Sequence, residues 1–110
     1  MKNYNKDAAA STNSALISAA ARSVKKIRAV NTSAAAVYVK IYDKATAPTV
    51  GTDVPVLNIT VPAKGSVNLE FKDSMFVLTS GLGIGITGAK IYTDTTAVGL
   101  NDANVNILWN

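Results

Sequence analysis

The stretch Val37-Tyr38-Val39-Lys40-Ile41-Tyr42 alternates branched apolar residues with residues carrying a polar tip. In a β-strand successive side chains point to opposite faces, so Val37, Val39 and Ile41 fall on one face and Tyr38, Lys40 and Tyr42 on the other. The same period of two recurs at Leu57, Ile59 and Val61, at Val67, Leu69 and Phe71, and at Val105, Ile107 and Trp109. Polar residues such as Asn58, Thr60, Asn68, Glu70, Asn104 and Asn106 fill the positions between. Runs of this kind predict half-buried strands of an antiparallel sheet with one face in water.

The residues between the runs fit that reading. Asn31-Thr32-Ser33 has turn composition, Pro48 to Pro55 with Gly51 and Asp53 makes a loop, and Asp73-Ser74 ends a strand. Pro62-Ala63-Lys64-Gly65-Ser66 separates two strands at hairpin distance. No long helical period and no strand–helix alternation is present, which argues against a doubly wound fold. The expectation is an all-β chain: one antiparallel β-sandwich or jelly-roll-like domain of about seven or eight strands over residues 15–110. Residues 16–21 are alanine-rich and fit a short helix or a first strand, the strand being preferred. Residues 1–14 are small and polar and read as an extended N-terminal arm. Such an arm is ordered only when its own domain or a neighbour holds it.

Composition narrows the chemistry. The chain has 110 residues, enough for one modest core, and its 16% of charged residues lies well below the roughly 25% of an average soluble domain. That deficit suits a surface partly covered by a partner. With His 0 and Cys 0, thiol nucleophiles, Ser-His and Cys-His pairs, disulfides and His/Cys zinc sites are excluded. The formal charge of +4 permits an acidic partner, but with only Arg22 and Arg28 as arginines no cluster points to nucleic acid. No run approaches the roughly 18 apolar residues of a membrane span, and Met1 to Asp7 is not followed by the apolar segment of a secretory signal.

Gly83-Ile84-Gly85-Ile86-Thr87-Gly88 fits the G-x-G-x-x-G string of dinucleotide sites. It is followed by the β-branched, turn-like Ala89 to Thr96 rather than by a helix, so it reads as a strand with Leu82, Ile84 and Ile86 inward. Its glycines then leave a bare strip on which another backbone or a ring can lie close. Val24-Lys25-Lys26-Ile27-Arg28 is the densest basic run, and strict alternation places Lys26 and Arg28 on one face and Lys25 on the other. Asp43, Asp53, Asp73, Asp94 and Asp102 sit beside turn-forming residues and read as turn closures. No spacing selects a catalytic carboxylate pair or a calcium loop. No enzyme activity, catalytic residue, metal or cofactor is therefore expected. The contact candidates are Tyr4, Lys6, Tyr38, Lys40 and Tyr42, where rings alternate with amines as at protein interfaces.

Residues 34–56, with Val37-Tyr38-Val39-Lys40-Ile41-Tyr42 running into Asp43-Lys44-Ala45-Thr46-Ala47-Pro48-Thr49-Val50-Gly51-Thr52-Asp53, resemble a recurrent family of small tailed-bacteriophage virion proteins. The later Val61-Pro62-Ala63-Lys64-Gly65, Gly81 to Gly88 and Thr93 to Val98 extend the resemblance, which covers roughly residues 31–108 and leaves out the N-terminal segment. The resemblance implies a β-sandwich structural protein of the virion without enzymatic activity. It further implies a capsid decoration, or cement, protein that binds the major capsid protein across capsomer boundaries, as a dimer or trimer on the capsid surface after synthesis in the host cytoplasm. No membrane or nucleic-acid partner is expected. A tail-associated or receptor-binding module, with its contacts in loops such as Ala45 to Pro55, is the alternative.

Overall fold

The computed structural model describes residues 1–72 and 76–110, so the turn expected at Asp73-Ser74 lies outside the described residues. Nine strands follow one another: β1 (Lys2–Asp7), β2 (Ala15–Ser18), β3 (Arg22–Asn31), β4 (Val37–Tyr42), β5 (Leu57–Val61), β6 (Ser66–Glu70), β7 (Phe76–Leu78), β8 (Leu82–Thr87) and β9 (Ala103–Trp109). They form two antiparallel sheets. The front sheet runs β1-β9-β3-β6, with β7 also paired to β3, and the back sheet runs β2-β8-β4-β5. The chain is an all-β sandwich, as the alternation predicts, and residues 15–18 are a strand rather than a helix.

The core lies between the sheets. Val24, Ile27, Ala29, Val105, Ile107 and Trp109 come from the front sheet, and Val37, Val39, Ile41, Ile59, Val61, Leu82, Ile84 and Ile86 from the back. All are at most 7% exposed, and fully burying a side chain of this size contributes roughly 1.5–3 kcal/mol. The chain passes between the sheets at most of its connections. One of these is Pro62 to Gly65, expected as a hairpin turn. It carries the chain from β5 in the back sheet to β6 in the front sheet, because β4 and β3 are the respective partners. Lys64, at φ 57°, and the Gly65 N–H bonded to the Pro62 carbonyl at 3.0 Å make that bend.

The segment 1–14 is extended but does not stand off as an arm. Lys2 to Asp7 pair in register with Trp109 to Asn104, which makes β1 the edge of the front sheet. Beyond it, the Ala8 N–H donates to the Ala103 carbonyl at 2.8 Å, and the Ile86 N–H donates to the Thr12 carbonyl at 2.7 Å. Asn13, at φ 54°, closes the turn by accepting from the Ala9 N–H at 2.8 Å and donating to the Ala9 and Ser11 carbonyls. Composition argued for an arm because this segment has little apolar surface. Backbone hydrogen bonds to β9, the 98–103 loop and β8 hold it instead.

Among the described residues the register shifts in β2, between Leu16 and Ser18, and in β3, where the shift has a consequence for charge. Val24 pairs with Trp109 and Lys26 with Leu108, so β3 carries a bulge at Lys25. Val24 and Ile27 are both buried at an odd spacing, which strict alternation forbids. The bulge absorbs the extra residue and places Lys25 and Lys26 together on the side away from the core.

Candidate contact surfaces

The outer face of the front sheet is built by register. Opposite Arg28 stand Asn106 on β9 and Asn68 on β6, and opposite Lys26 stand Leu108 and Glu70. On β1, Asn3 faces Leu108, Asn5 faces Asn106 and Asp7 faces Asn104. The amides are linked to one another. Asn104 Nδ2 donates to Asn5 Oδ1 and Asp7 Oδ1, both at 2.8 Å, and Asn106 Nδ2 donates to Asn104 Oδ1 at 2.8 Å. Such links fix the rotamers of short side chains and leave a polar platform. In it lies a shallow depression of about 200 Å³ lined by Asn3, Lys26, Arg28, Asn106 and Leu108. The bulge adds Lys25 to this side, which corrects the expectation that Lys25 is split from Lys26 and Arg28. The apolar spacing Val24–Ile27–Ala29 carried the signal for it.

The outer face of the back sheet is different, because the chain's own loops cover it. A Cβ on Gly83 would meet the Pro48 ring at 2.7 Å, and one on Gly85 would meet Val50 at 2.9 Å and the Tyr42 ring at 3.3 Å. The bare glycine strip thus receives a ring and a close segment, as its composition suggests, but from the loop between β4 and β5. That loop is tied down by the Lys44–Asp53 ion pair at 2.6 Å and by the Thr49 N–H donating to Asp53 at 2.7 Å. The Lys44 ammonium and the Thr49 amide hold the Asp53 carboxyl below the usual carboxylate range. The 88–98 loop lies beside it, with the Thr93 carbonyl 3.4 Å from the Gly51 Cβ position.

This cover decides the fate of the Tyr38-Lys40-Tyr42 stripe. The three share one face of β4, as predicted, but that face is not wet. Lys40 is 0% and Tyr42 1% exposed, so neither presents to a partner, and only Tyr38 reaches solvent in part. Burial pushes the Tyr42 phenol up and the Lys40 amine down. Tyr4 and Lys6 lie far from this stripe, on β1, opposite Ile107 and Val105, and point to the core side of the front sheet. Tyr4 packs against the core and burial raises its phenol, while Lys6 is half-buried. The five candidates therefore do not form one surface.

The aspartates close turns. Asp43 accepts from the Thr79, Ser80 and Gly81 amides and the Thr79 hydroxyl, Asp94 from Ala89 and Thr96, and Asp102 from the Gly99 N–H. Asp73 lies outside the described residues. Among those described, no three acidic side chains gather in one place.

Comparison of the chain with protein-family models, with curated proteins and with solved structures finds no match.

Proposed function

We propose that this chain is a structural protein of a tailed-bacteriophage virion, and within the particle a capsid decoration protein that docks on the major capsid protein. The observation that carries the reading is the outer face of the front sheet, a fixed layer of asparagine amides beside Lys25, Lys26 and Arg28. A rigid, polar face on which three cations outnumber Asp7 and Glu70 loses little side-chain entropy on docking and complements an acidic protein surface. The sequence resemblance adds the virion context. Stabilisation follows from contact area added across capsomer boundaries, with an interface of about 1,600 Å² as the standard size. Because residues 1–14 are built into the sandwich, the docking element in this reading is the sheet face and not a reaching arm. Copies arranged as dimers or trimers around capsid symmetry axes would each present the same face.

The test is occupancy on purified capsids. The double variant Lys26→Glu, Arg28→Glu is expected to lower affinity by at least about tenfold, equivalent to about 1.4 kcal/mol, with an unchanged thermal midpoint. Unchanged occupancy removes this face from the mechanism.

One observation favours the alternative of a tail-associated or receptor-binding module. The loops over the back sheet expose Val54 at 67%, Ile91 at 63% and Tyr92 at 42%, an apolar set suited to a surface ligand. Copy number per particle separates the two readings. A number that scales with capsomers supports decoration, and one that scales with the tail's symmetry supports the module.

A further inference from the structure

Two unusual groups face each other on the outer side of the back sheet. Lys40 is fully buried, and its ammonium makes one hydrogen bond, to the Ile91 carbonyl at 2.9 Å. An ammonium has three protons to place, and a buried charge with one neutral partner is costly. Directly opposite it in the β4–β5 register stands Asn58. Asn58 Nδ2 donates to the Lys90 carbonyl at 2.6 Å, while its Oδ1 is buried and accepts from nothing among the described residues.

The two side chains leave the same face of neighbouring strands, where opposed Cβ atoms lie about 4.5–5.5 Å apart. They also reach toward carbonyls of consecutive residues, Lys90 and Ile91, so their nitrogens converge under one short piece of chain. Burial moves the Lys40 amine toward its neutral, nucleophilic form.

We propose that Lys40 and Asn58 join in an intramolecular isopeptide bond that staples β4 to β5 beneath the 88–98 loop. The Lys40 Nζ lone pair attacks Cγ of Asn58, the new C–N bond forms, and the Cγ–Nδ2 bond breaks. Nδ2 leaves as ammonia, carrying the proton that Nζ gives up. Atoms and electrons balance without an oxidant, a metal or an activated co-reactant. The product is a neutral secondary amide, so the buried Lys40 amine and the Asn58 NH2 group both disappear, while the remaining N–H still faces the Ile91 carbonyl.

Mass spectrometry of the denatured full-length chain tests this. The expected result is a mass below that of the sequence by one ammonia. Trypsin should then fail to cut after Lys40 and release a branched peptide joining the Lys40 and Asn58 segments. Lys40→Arg and Asn58→Ala are each expected to show the full mass of their own sequences. A wild-type chain at full sequence mass overturns the proposal. So does an ammonia deficit that persists in Lys40→Arg, which would mark a succinimide at an asparagine. The wild-type mass is measured without any substitution, so it decides the matter even where a variant fails to fold.

Discussion

Asn31 and Asp43 show how single polar side chains close this fold. Asn31 is 1% exposed, and its Nδ2 donates to the Ala35, Val61 and Pro62 carbonyls at 2.8, 3.1 and 3.2 Å. Its Oδ1 accepts from the Ser33 amide and hydroxyl, which is the turn that Asn31-Thr32-Ser33 predicts. The turn was legible because its partners are local. The bonds to residues 61 and 62 were not, since they depend on carbonyls that only the assembled sandwich brings near. Asp43 likewise ties the end of β4 to the β7–β8 turn, and the Ser80 and Thr79 amides, followed by Gly81, hold its carboxyl below the usual range. A carboxyl lowered in the folded state adds stability above its unfolded value of about 3.9, and that contribution fades as pH falls through the folded value. Asp43→Asn is therefore expected to lose about 1–2 kcal/mol at neutral pH, discounted for its contact with water, with the difference from wild type closing as the pH falls through the acid range. Urea midpoints of both proteins across that range check this, and a gap independent of pH counts against it.

At the scale of elements, β8 and β3 mark how far pattern reading extends. The glycines of β8 predicted close approach on one face, and Pro48, Val50 and Tyr42 supply it. The glycines do not report the source of the cover. Alternation reports which residues share a face of β4, and it does so correctly for Tyr38, Lys40 and Tyr42. Whether a loop from elsewhere folds over that face is a tertiary matter, and here it turned a supposed contact stripe into a second buried layer. Gly83→Val tests this layering. A side chain there collides with the Pro48 ring, so a loss of about 1–3 kcal/mol is expected, together with faster proteolysis in residues 45–55 as the loop lifts. An unchanged thermal midpoint with an unchanged cleavage pattern would mean that the loop does not depend on this seat. In β3 the signal for the bulge was present in the odd spacing of Val24 and Ile27. A period-two template applied across the whole run passed over it.

For the whole molecule, the decisive contact is between the two ends of the chain. β1 pairs along its full length with β9, and β9 in turn pairs with β3 at the middle of the front sheet. Removing residues 1–7 uncovers the β9 edge and the space filled by Tyr4. A loss of about 2–3 kcal/mol and a new tendency to self-associate through the open edge are expected, read by thermal melting and size-exclusion chromatography. A shortened chain that melts as the full one does would show that β1 is dispensable. The sandwich itself was legible from periodicity. The asparagine-lined outer face of the front sheet was less so, because it depends on which strands become neighbours across long stretches of chain. The register also sets Lys2 beside Trp109, whose ring has Lys2 on it at 5.2 Å and Arg22 at 5.2 Å. Both ends therefore leave the sandwich at the same corner, and anything fused to Met1 or Asn110 departs from one point. Tension applied through the two ends would open this pair like a zip, one hydrogen bond at a time, rather than shear all of its bonds at once. Mechanically, then, this corner is the weak seam of the molecule, while a load carried through the sheet faces leaves it slack.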